Sequence, residues 1–180
     1  MATNLQFIKS TSASTVTTFT VTDCFTDKYD VYQLLFSKMD STTDNNFLKL
    51  NFLDTTDTVI VDSTYDSAGL RVIAASSFVE DSLTAQTGFL KVNQTSNGSS
   101  HMGGLSVMVF NPYDSSSYSF ITAQSSNIAG TSDNLIGTKY IGVLKNTETV
   151  TGIRLAFTDS SGNLTGTGID NMTVKVFGVK

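Results

Sequence analysis

Apolar residues recur at every second position through most of the chain, the spacing of strands with one face buried. It is clearest over residues 150–180. Ile153, Leu155 and Phe157 fall on one side and Arg154, Ala156 and Thr158 on the other; Met172, Val174 and Val176 repeat the pattern at the end. Between them Asp159, Ser160, Ser161, Gly162 and Asn163 are residue types that favour tight turns, and Gly166 and Gly168 loosen the chain beyond the turn. The stretch predicts a terminal hairpin.

The same alternation predicts strands at residues 4–9 and 15–21, joined by a polar hinge over 10–14. Residues 31–39 fit a strand through Tyr32, Leu34 and Phe36, and also a helical face through Val31, Leu34, Leu35 and Lys38. The β-rich neighbours favour the strand, paired as a hairpin with 47–53 across a polar turn. Further strands are predicted at 69–75, 88–92, 105–110, 118–123 and 136–144. Residues 76–86 stay open between a helical turn around Phe78, Val79 and Leu83 and a long loop, while 93–100 and 124–134 read as polar connections. Residues 105–110 are apolar on both faces apart from Ser106, which predicts a central strand covered from two sides and ended by Pro112. About ten strands at such intervals predict an all-β antiparallel two-sheet sandwich forming one domain over residues 1–180.

Composition agrees: Ser and Thr make up 50 of the 180 residues, and Glu only two. A net charge of −5 with scattered Lys and Arg argues against a nucleic-acid partner. No apolar run approaches the ~20 residues a membrane-spanning helix needs, and the first residues lack the basic and apolar regions of a signal peptide, so the expectation is synthesis in a cytoplasm without a membrane partner.

Candidate chemistry is sparse. The lone Cys24 sits beside Phe25 as a core thiol would, and the lone His101 lies at the end of a polar loop with no nucleophile-elbow motif nearby. Zinc would want more Cys and His ligands than the chain has, and the turn pairs Asp40/Asp44, Asp54/Asp57, Asp62/Asp66 and Asp159/Asn163 match no EF-hand spacing, so neither metal nor cofactor is expected. Fourteen Asp offer many carboxylate pairs and single out none as the acid and base of a polysaccharide-degrading enzyme. Tyr65, Tyr113 and Tyr118 lie in or beside predicted loops, where rings can stack on sugars.

Three segments carry a resemblance. GIRLAF, a polar turn and a last strand ending VKVFGVK resemble the terminal hairpin of small jelly-roll proteins encoded by tailed bacteriophages; FTDKYDVYQLL (25–35) is similar to the entry into that family's third strand, and FNPYDSSSY (110–118) to its turn after a central strand. The resemblance implies an eight-stranded jelly roll with added strands, a virion location, a non-enzymatic structural role and a homotrimer. Such proteins decorate or cement capsids, or form adhesive fibre tips. With no stalk or coiled coil ahead of its first strand, this sequence favours decoration, with the major capsid protein as partner and assembly in the bacterial host's cytoplasm. Phe177 and Val179, facing opposite to Met172, Val174 and Val176, are then expected at the trimer contact. For the adhesin alternative the expected contacts to a host surface glycan are Asn93, Asn97, Tyr113, Asp114 and Tyr118.

Overall fold

The computed structural model describes residues 4–74, 78–98, 100–129, 134–164 and 168–180. Ser76 and Gly166 lie outside them. Among the described residues there are twelve strands and no helix. They are β1 (Leu5–Val16), β2 (Thr18–Val21), β3 (Val31–Ser41), β4 (Asn46–Leu53), β5 (Tyr65–Ile73), β6 (Phe78–Gln86), β7 (Phe89–Thr95), β8 (Gly103–Phe110), β9 (Ser119–Ala129), β10 (Asn134–Leu144), β11 (Gly152–Thr158) and β12 (Ile169–Val179).

Two antiparallel sheets result. The larger runs β1-β12-β3-β8-β9-β10-β5-β6 and the smaller β2-β11-β4-β7. Strands β1-β12-β3-β8 facing β2-β11-β4-β7 form the two interlocked Greek keys of an eight-stranded jelly roll. The remaining strands enter as two hairpins, β5–β6 between β4 and β7 and β9–β10 between β8 and β11, and both extend the larger sheet beyond β8.

Several local expectations change. Residues 10–14 are no hinge: β1 runs through them, pairing Ser10 to Ser14 with Lys175 to Asn171, and Ser12 Oγ lies 2.8 Å from Thr173 Oγ1. The chain instead turns at Thr17 to enter the other sheet, just after Thr15 takes a φ of 55°. Neither predicted hairpin forms, because β3 and β12 belong to the larger sheet and β4 and β11 to the smaller. Each connection crosses the sandwich. The open segment 76–86 contains β6, and Gln124 to Ala129 belong to β9. Polar alternation does not exclude a strand whose outer face meets water.

The core lies between the sheets and is built on edge-to-face aromatic pairs. Phe25 meets Tyr32 at 4.8 Å between centroids, Phe52 meets Phe89 at 5.3 Å, and Tyr65 meets Phe89 at 4.8 Å. Each such pair adds about 0.5–1.5 kcal/mol beyond its buried area. Both tyrosine hydroxyls are satisfied within the core region: Tyr32 donates to Thr26 O at 2.7 Å, and Tyr65 donates to Ile60 O at 3.1 Å while accepting from Phe52 N. Tyr65 is therefore a core residue, not a sugar platform.

The edge of the smaller sheet is closed by the larger one. The Tyr140 hydroxyl donates to Leu90 O at 2.9 Å, and Asn127 Nδ2 donates to Gln94 O, so side chains from β9 and β10 satisfy carbonyls along β7. Close approach also fixes β11, where a Cβ on Gly152 would stand 2.5 Å from Val21 O and 2.9 Å from Leu53 Cδ1. The Val21 carbonyl is backbone and cannot swing away. Gly152→Ala is predicted to cost about 1–3 kcal/mol, read as a lowered urea midpoint at unchanged slope.

Candidate interaction face

The outer face of the larger sheet carries the feature that the sandwich core does not explain. Cross-strand registers place Leu5, Val179, Val31, Phe110, Phe120 and Val143 side by side, an unbroken apolar row over β1, β12, β3, β8, β9 and β10. The next outward-facing row on the same strands is Phe7, Phe177, Gln33, Met108, Thr122 and Ile141. At about 4.8 Å per strand the belt is about 24 Å long. Phe7 is 56% exposed and Ile141 60%. Phe7 lies edge-on to Phe177 at 5.7 Å, so the chain itself covers Phe177 only in part.

At its β8–β10 end the belt sinks into an open hollow of about 490 Å³, walled by Phe110, Phe120, Ile141 and Val143 of the belt and by Leu83, Thr84 and Asp66 beyond it. A second hollow of about 800 Å³ adjoins it and is more polar, with Glu80, Ser106, Gln124 and Lys139 among its walls. Both depend on where β5 and β6 sit. An ion cluster ties those strands to β7: Asp81 of β6 accepts from Arg71 Nε of β5 at 2.9 Å and from Lys91 Nζ of β7 at 2.8 Å, and Arg71 also reaches Gln94 Oε1 at 2.7 Å. The rings and charges stack together, with Arg71 5.3 Å from the centre of Phe47.

The residues singled out from sequence fall into separate places. Phe177 and Val179 lie in the belt, half-buried, as their alternation predicted. Tyr113, Asp114 and Tyr118 share the β8–β9 turn at the same end of the sheet, with both rings exposed; Asp114 Oδ1 accepts from Ser116 N and Oγ, bonds that lower its pKa. Asn97 is exposed at the other end, held by Asp44 and by the Thr42 carbonyl. The length of β8, eight residues or about 26 Å, separates it from the tyrosines. Asn93 is corrected outright: it lies in β7, fully buried, and cannot contact a glycan. The loop expected from residue 93 begins only after Thr95.

The reactive residue types are occupied with structure. Burial pushes the Cys24 thiol up to about 12, so the sulfur is protonated at neutral pH, and it points at Val21 O. Asp54 accepts from Thr56 Oγ1, Thr56 N and Thr58 N, and Asp159 from Ser161 N and Asn163 N, so both carboxylates cap their own turns. Among the described residues no group of three or more His, Cys, Asp and Glu could hold a metal ion. No family model and no curated protein matches the chain. The face must be read from its own geometry.

The sequence signal for that face was partial. Residues 105–110 predicted a strand covered from two sides; the structure covers only the side of Leu105, Val107 and Val109, and leaves Met108 and Phe110 half-buried on the belt. Phe7, Phe120 and Ile141 went unnoticed because strands far apart in sequence bring them together. For Asp81, burial raises its pKa, but the hydrogen bonds from Lys91 and Arg71 and their charges together outweigh it, and the net shift is downward. Its stabilising contribution is therefore complete above the ordinary carboxylate range and is lost as pH falls through the lower folded value. Asp81→Asn is predicted to remove that acid limb from the stability–pH curve and to cost about 1.5–3 kcal/mol at neutral pH, measured by urea unfolding between pH 2 and 7.

Proposed function

We propose that this chain is a non-enzymatic structural protein of a bacteriophage virion, a capsid decoration or cement protein that acts as a homotrimer against the major capsid protein. The observation that carries the reading is the apolar belt across six strands of a jelly roll. A protein working alone in water does not profit from such a belt, whereas one that packs against copies of itself on a symmetric particle does. The resemblance at residues 25–35, 110–118 and the C-terminal strands supports the virion context, and the net charge of −5 suits crowded copies that must stay soluble.

A second reading rests on a different observation. Tyr113 and Tyr118 expose their rings in one turn, next to exposed Phe120 on the same end of the sheet. That cluster suits stacking on sugar rings and supports a fibre-tip adhesin for host surface glycan. The two readings differ in location. A reconstruction of purified particles that locates this chain is predicted to show copies spread over the shell. Copies confined to tail or head fibres favour the adhesin, and particles without the chain contradict both.

A further inference from the structure

We propose that the outer face of the smaller sheet binds a tetrahedral oxyanion, phosphate or sulfate, between Arg154 and Lys49. This face belongs to the other sheet from the apolar belt, so the inference goes beyond the reading above and does not rest on it. Register fixes the pair. Arg154 of β11 stands opposite Asn51 of β4 and Thr20 of β2, while Lys49, two residues from Asn51 along β4, stands opposite Ala156. Alternation puts Lys49, Asn51, Arg154 and Thr20 on one side of the sheet, away from the core residues Phe19, Leu50, Phe52, Ile153 and Leu155. The two cations are diagonal neighbours on adjacent strands, ~7–8 Å apart along the backbone.

Among the described residues neither cation has a carboxylate partner, and the Arg154 Nε–H is buried with no hydrogen-bond acceptor. Lys49 Nζ donates to a neutral group, Thr87 Oγ1, at 3.1 Å. Burial, and after it the charge of Arg154, hold the Lys49 pKa below its ordinary value. The next cations along the face offer no relief: Arg71 and Lys91 lie over Phe47, two residues from Lys49 on β4, and share one carboxylate, Asp81. Lys49 is also held in place. A Cβ on Gly88 would stand 2.8 Å from Lys49 Cε and 2.7 Å from Asn51 Nδ2, and Asn51 Nδ2 donates to Thr87 O at 2.6 Å, so the β6–β7 connection packs along the lysine stem. A chain with 16 carboxylate side chains and a net charge of −5 thus keeps two like charges together with no acid between them. Like charges so placed destabilise a sheet unless an anion joins them.

The donors select the class of anion. A guanidinium presents a fixed fork of N–H groups that matches phosphate or carboxylate, whereas an ammonium acts as a point charge. Cations on separate strands are joined best by a group with oxygens in several directions and up to two negative charges. A tetrahedral oxyanion has both; a planar carboxylate has neither. The exposed hydroxyls of Thr20 and Thr87 flank the pair as neutral donors.

The test follows the arginine Nε–H resonances of the nitrogen-15-labelled protein while inorganic phosphate, sulfate, acetate or chloride is added at equal ionic strength and neutral pH. The sequence has only two arginines, and the signal of Arg154 is the one missing from Arg154→Gln. That signal is expected to shift saturably with phosphate and sulfate and not with chloride. Calorimetry is expected to show phosphate binding weakened about tenfold or more in Lys49→Gln and abolished in Arg154→Gln, with both variants folded by circular dichroism. Glycerol phosphate separates two sources of the same group: a site for the free ion excludes it, and a site for an ester on a larger molecule accepts it. No saturable shift in the native protein, an equal response to chloride, acetate bound as tightly as phosphate, or unchanged binding in both variants would overturn the proposal. The native titration decides even if a variant fails to fold, and none of these results depends on where the chain sits on a particle.

Discussion

The pairing of the last strand with the first is the contact on which the rest of the structure depends. β12 lies between β1 and β3, and its Met172, Val174 and Val176 are fully buried against the opposing sheet. The backbone closes the arrangement at the chain ends, where Lys180 N donates to Asn4 O at 2.9 Å. Removing β12 would part β1 from β3 and leave both with open edges. Such long-range pairing must overcome loop-closure entropy before it contributes, the condition under which folding is slow.

Widening one sheet and not the other has two consequences. The inserted hairpins β9–β10 and β5–β6 carry the larger sheet past the smaller one, where Tyr140 and Asn127 satisfy the carbonyls along β7 and the Arg71–Asp81–Lys91 cluster ties β5 and β6 to it. One edge is thereby protected. The same widening enlarges an outer face that the described residues leave part-exposed, and one row of that face is apolar across six strands. The core accounts for Leu105, Val107 and Val109 on the inner face of β8; Met108 and Phe110, on its outer face, belong to the belt.

The fold class was legible because alternation over short segments is a local property. Ile153, Leu155 and Phe157, and Met172, Val174 and Val176, all proved to face the core. What the pattern could not convey was which strands pair. Residues 31–39 and 47–53 looked like a hairpin because they are close in sequence, yet β3 and β4 lie in opposite sheets, as do β11 and β12. Strand segments rich in polar residues, such as residues 10–14 and 124–127, were hidden by a polarity that suits loops and outer faces equally well. The candidate site was half legible. Phe177 and Val179 were visible from one strand's alternation, whereas Phe7, Phe120 and Ile141 acquire meaning only through cross-strand register. Asn93 misled because Asn in a polar run signals a turn, and here it fills a buried strand position between Val92 and Gln94.

The most direct measurement is the mass of the chain in solution by light scattering behind size exclusion, for the native protein and for Phe120→Asp, a substitution on the exposed belt. The native protein is predicted to run at three times the 19.3 kDa chain mass and the variant, still folded by circular dichroism, at a lower multiple. A native monomer, or a variant of unchanged mass, would contradict a belt that packs against copies of itself.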